Sequence, residues 1–165
     1  MNNMSEKTRK LTQGAAIGAL YVVLTLIANA FGLANYAIQV RFSEALTIMP
    51  LLTPAAIPGL FVGCLIANIL TGAAMLDVVF GSIATLIGAV GTYMCRKLKC
   101  KYLGCIPPIV ANTIIVPLVL KNVYKFEGAL WYFMITVGIG EIISCGILGC
   151  AFYKIVTRRR IMDVN

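Results

Sequence analysis

At 165 residues, 60% of them apolar and 12% charged, with a mean hydropathy of +0.91, the chain lies far outside the range of a soluble domain. Its formal charge of +8 is gathered in short stretches flanking apolar runs, the pattern that orients membrane helices rather than one that grips nucleic acid. The apolar runs leave no room for an added soluble enzyme domain, so one all-α membrane bundle over 1–165 is expected.

The basic N-terminus precedes a first apolar run, 11–31, which has full membrane length and no small-residue cleavage site, and so reads as a retained helix. Within it Gly14 pairs with Gly18 and Ala15 with Ala19 at spacings of four, a small-residue flank on which another helix can dock closely. Residues 31–40 contain Gly32, Asn35, Tyr36 and Gln39 and form a loop. The apolar stretch from Ala45 to Leu70 is too long for one crossing and is broken by Pro50, Pro54 and Pro58. It reads as two helices, 42–53 and 55–71, joined by a tight turn. Three further helices are expected at 76–95, 104–121 and 129–153, with Asp77 placed to cap the fourth helix or face its dipole.

Charge tests this count. Six crossings with both termini cytoplasmic put Lys7, Arg9, Lys10, Arg96, Lys97, Lys99, Lys101, Lys154, Arg158, Arg159 and Arg160 on one side, leaving Arg41, Lys121 and Lys125 on the other. A single crossing over 45–70 would place Arg96 to Lys101 opposite the N-terminus, against the positive-inside rule.

The same alternation sorts the polar residues. Arg41, Glu44, Asn68, Asp77 and Lys121 fall toward the outer side, and Asn112 and Glu141 near the middle of helices five and six. A carboxylate at that depth costs a few kcal/mol unless it faces a cavity or partner, so Glu141 is the leading ligand contact. A helix-to-helix hydrogen bond with Asn112 and a local Arg41–Glu44 pair are the structural alternatives. Without histidine, CxxC, GxSxG or GxxxxGK[ST], the chain offers no catalytic constellation, no metal site, no cofactor and no ATP hydrolysis of its own.

The segments RFSEALTIMPLLTPAAIPGLFVGCLIANILTG and LDVVFGSIATLIGA, a proline-bearing fifth helix with Asn112, and VGIGEIISCGILG together resemble the QueT family over nearly the whole chain. The resemblance implies a six-helix substrate-binding subunit of an energy-coupling factor (ECF) transporter in a prokaryotic plasma membrane. It would work with a transmembrane coupling protein and two ATP-binding-cassette ATPases and take a queuosine precursor. In such subunits an AxxxA pattern in helix one docks on the coupling protein, which Ala15 and Ala19 match. A 7-deazaguanine, cyano- or aminomethyl-substituted, presents a ring N–H beside an exocyclic amine, a donor pair one carboxylate can accept. Glu44, Asp77 and Glu141 are the acids available, and Tyr36, Phe42 or Phe80 the aromatics that could stack. A subunit for another vitamin-like heterocycle and a non-transporting membrane scaffold are the rival readings.

Overall fold

The computed structural model describes residues 2–32, 40–122 and 129–158, and everything described in it is helix or connecting turn, with no strand among the described residues. The described residues form six α-helices: α1 (Asn2–Ala30), α2 (Ala56–Leu70), α3 (Met75–Met94), α4 (Ile106–Asn122), α5 (Leu130–Glu141) and α6 (Gly149–Arg158). A π-helical segment, Ile142–Leu148, joins α5 to α6, and a ten-residue 3₁₀-helix, Phe42–Leu51, precedes α2. Among the described residues four stretches are long and apolar enough to cross a membrane: Ser5–Ala30, Met75–Lys97, Lys101–Asn122 and Leu130–Arg158. The helices at Phe42–Leu51 and Ala56–Leu70 are apolar but shorter.

Two boundaries and one helix type differ from the expected ones. The first helix begins at Asn2 rather than at residue 11, its polar extension supported by a Glu6–Lys10 ion pair of 2.7 Å across one turn. The sixth run continues to Arg158 through the π segment. The expected second α-helix is wound as a 3₁₀-helix instead. Pro50 explains part of this, since in an α-helix its ring would crowd the carbonyl four residues earlier. Thr47 Oγ1 donates 2.6 Å to the Glu44 carbonyl, the residue three back, in keeping with the tighter winding. At about 2.0 Å per residue the ten residues reach roughly 20 Å, against roughly 15 Å for the same length of α-helix.

The 3₁₀-helix is the axis of the bundle. Eight of its ten residues are buried, from Ser43 to Leu51. An apolar helix buried on all sides belongs to an interior, and Leu46 and Met49 join Ile17, Leu60, Cys64 and Val156 in the main core. On the outside Ile69, Ile87, Val110, Ile135 and Ile147 stand exposed, an apolar belt suited to lipid.

Close approaches fix the direction of each helix. Built Cβ atoms on Gly59 and Gly63 would lie 2.4 Å and 2.8 Å from the carbonyl oxygens of Gly14 and Gly18. Contacts therefore ascend together along α1 and α2, which run parallel with the 3₁₀-helix returning between them. Thr85 Oγ1 meets Cys64 Sγ at 3.3 Å while Gly81 lies beside Asn68, so α3 runs opposite to α2. Gly88 and Gly91 admit Pro108 and Pro107 in turn, reversing α4, and Gly138 packs on Thr113 while Gly146 lies beside Ile109, reversing the α5–α6 run.

Candidate functional site

Glu44 sits in the first turn of the 3₁₀-helix, 1% exposed, at the point where that helix meets α1, α4 and the α5–α6 run. One carboxylate oxygen accepts a short hydrogen bond from the Tyr21 hydroxyl on α1, and the other faces Asn112 Nδ2 on α4 at 3.4 Å. Glu141, at the C-terminal end of α5 and also buried, accepts from the Cys145 thiol at 3.2 Å. Cys145 is held by the π segment, where it also contacts Thr47 Oγ1 at 3.4 Å and the Glu44 carbonyl at 3.5 Å. The extra residue per turn of a π segment is often found at functional sites. Here it sets Ser144 Oγ to accept the Arg41 backbone N–H at 3.1 Å.

The result is a pair of buried carboxyl groups from distant parts of the chain. Ligand atoms of Glu44, Glu141 and Cys145 all lie within 4.8 Å of one another, a spacing that can hold a cation. Two full charges at that separation repel by about 3 kcal/mol at an effective dielectric near 20. Arg41, half-buried at the start of the 3₁₀-helix, lies within electrostatic reach of Glu44 and Asp77 and supplies one positive charge against them. The arrangement can therefore accept several hydrogen bonds from a donor-rich group and balance positive charge on it.

The family pattern of the QueT transporter matches residues 11–158, nearly the whole chain. The chain belongs to the QueT transporter family. With its four long apolar helices it is a multi-pass membrane protein and a transporter component. It matches no curated protein and no solved structure.

In this QueT chain the residues singled out from sequence divide into groups. Glu44, Glu141 and Asn112 converge as described, and Glu44 takes its hydrogen bonds from Tyr21 and Asn112 rather than from Arg41. Asn68 and Asp77 form a second polar pair on either side of Gly81, whose built Cβ would lie 3.2 Å from Asn68 Nδ2 and 3.6 Å from Asp77 Oδ1. Cys64 joins the two groups, since it takes the Asn68 amide at 3.5 Å and lies in the core beside Tyr21. Lys121 is exposed in the last turn of α4, about 13 Å along the helix axis from Asn112, and stands apart from the cluster. Phe80 is 45% exposed on the outer surface, which removes it as a stacking partner inside the bundle. Tyr36 lies outside the described residues.

The small-residue flank of α1 is also divided. Gly14 and Gly18 are buried against the α2 backbone, so they serve the chain's own packing. Ala15 and Ala19 are exposed and line an open groove of about 440 Å³ between α1 and α2, walled by Leu11, Val22, Pro58 and Val62, with Lys10 at its end. Tyr21, Thr47, Ser144 and Cys145 were not singled out from sequence as site residues. Tyr21 carried a usable signal: it follows Gly14 and Gly18 at helical spacing, and a phenol on a packed face needs a partner for its hydroxyl.

Proposed function

We propose that this QueT chain is the substrate-binding subunit of an ECF importer that captures a queuosine precursor, a 7-deazaguanine, from outside the cell. The reading rests chiefly on one observation: Glu44 and Glu141 converge in a buried site beside Asn112. One carboxylate accepts the adjacent ring N–H and exocyclic amine of the base, a charge-assisted pair, while Asn112 meets a carbonyl or ring nitrogen. The second carboxylate is left for a cationic substituent, since Arg41 balances only one acid. The aminomethyl base is therefore favoured over its neutral cyano analogue.

The assembly completes the proposal. The alternating helix directions and the grouping of basic residues support six crossings with both ends cytoplasmic, the shorter Phe42–Leu51 and Ala56–Leu70 helices counting as crossings within the bundle. The groove carrying Ala15 and Ala19 then lies toward the cytoplasmic side, where the coupling protein docks and two ATPases supply the energy. Calorimetric titration of the purified chain with 7-aminomethyl- and 7-cyano-7-deazaguanine tests the reading. Binding of the aminomethyl base at least ten-fold tighter than the cyano base is expected, and no binding of either overturns the substrate assignment.

A further inference from the structure

Three cysteines play no part in the buried site and gather at one end of the bundle. The short 3₁₀-turn Lys101–Cys105, just before α4, packs against α6. Tyr102 and Tyr153 mark the seam, their rings meeting edge to face with centroids 6.0 Å apart and planes at 80°. Three residues forward from Tyr102 is Cys105, and three residues back from Tyr153 is Cys150, so two antiparallel helical turns place the two cysteines opposite each other one step along the same seam. The Cys150 thiol lies within hydrogen-bonding reach of Cys105 and close enough to Cys100 to feel it. All three are free, Cys100 exposed and the other two partly so. The Cys105 thiol is aimed by a 2.9 Å hydrogen bond to the Tyr102 carbonyl.

We infer that Cys105 and Cys150 form a reversible dithiol–disulfide pair, a redox modification site for peroxide-class oxidants that staples the 101–105 turn to α6. One thiolate attacks the peroxide O–O bond, giving a sulfenic acid and one water. The second thiol then attacks the sulfenic sulfur, forming the S–S bond and releasing the second water, so the two electrons lost by sulfur are those gained by peroxide. The turn is held firmly on its other side: Leu51 Cδ1 would lie 2.9 Å from a Cβ on Gly104, and Thr92 Oγ1 donates 2.7 Å to the Gly104 carbonyl. A bond to α6 would thus tie the last helix to α3 and to the central 3₁₀-helix.

The full chain purified reduced in detergent is exposed to hydrogen peroxide, digested and read by mass spectrometry. A Cys105–Cys150 cross-linked peptide, lighter by two hydrogens and restored by dithiothreitol, is expected as the main product, with a higher thermal midpoint for the oxidised protein. In Cys150→Ser, Cys105 is expected to stop at the sulfenic acid and be trapped by dimedone. Oxidation of Cys100 with the other two unlinked, or cross-links made chiefly by Cys95 or Cys100, would overturn the inference. Retention of the Cys105 thiol in Cys150→Ser at peroxide levels that link the native pair would do the same.

Discussion

Glu141 and Glu44 are both acids in an apolar interior, yet their surroundings give them different tasks. Glu141 accepts from the Cys145 thiol and also feels the Asn112 amide, and its two oxygens keep acceptor capacity for a ligand. Replacing it with glutamine turns one acceptor into a donor that meets the ligand's N–H head-on and leaves buried polar groups unpaired. Glu141→Gln is expected to weaken binding by about 2–4 kcal/mol, roughly thirty-fold to a thousand-fold, without loss of folding. Calorimetry on the purified variant reads this directly, and unchanged affinity would reduce Glu141 to a packing residue. Glu44→Gln is expected to lower both the ligand affinity and the thermal midpoint, because Tyr21 and Asn112 both donate to this carboxylate. Tyr21→Phe removes one of those donors and should cost about 1–3 kcal/mol of stability, measured as a lowered thermal midpoint. Glu141 was legible from sequence because a carboxylate in mid-helix is costly. Its proximity to Glu44, ninety-seven residues away in the chain, was not, since no local pattern relates the two positions.

Among the elements, α1 and α2 show two uses of small residues on one helix. Gly14, Gly18, Gly59 and Gly63 let two parallel backbones touch, and a methyl group at Gly59 would lie 2.4 Å from a backbone oxygen that cannot rotate away. Gly59→Ala should therefore separate the helices and destabilise the protein by about 1–3 kcal/mol, seen in thermal unfolding in detergent. Ala15→Trp or Ala19→Trp should leave the thermal midpoint and ligand affinity nearly unchanged, because both side chains face the open groove. Either is expected to abolish co-purification with the coupling protein and uptake in cells. A large drop in ligand affinity in the tryptophan variants would place the alanines in internal packing. The spacing of four was visible in sequence. Which member of each pair turned inward depended on where the Gly59–Gly63 face arrived.

For the whole molecule, topology is the first quantity to measure. In a version with its native cysteines replaced by alanine, a single cysteine at Lys99 or Arg159 should be shielded from impermeant thiol reagents in intact cells, and one at Lys125 should be labelled. External labelling at residue 99 would break the six-crossing arrangement. The amino-acid sequence by itself determined that the chain lives in a membrane, roughly where its helices fall, and that Glu141 is set in an apolar run. Those properties are additive along the chain: hydropathy sums over a window, basic residues act on the nearest crossing, and proline breaks the helix that contains it. Only the tertiary structure decided that residues 42–51 wind as a 3₁₀-helix at the centre, that a π segment aims Ser144 and Cys145 inward, and that Tyr21 and Asn112 share Glu44. These depend on contacts between segments twenty to a hundred residues apart, whose energies appear only once the helices have packed.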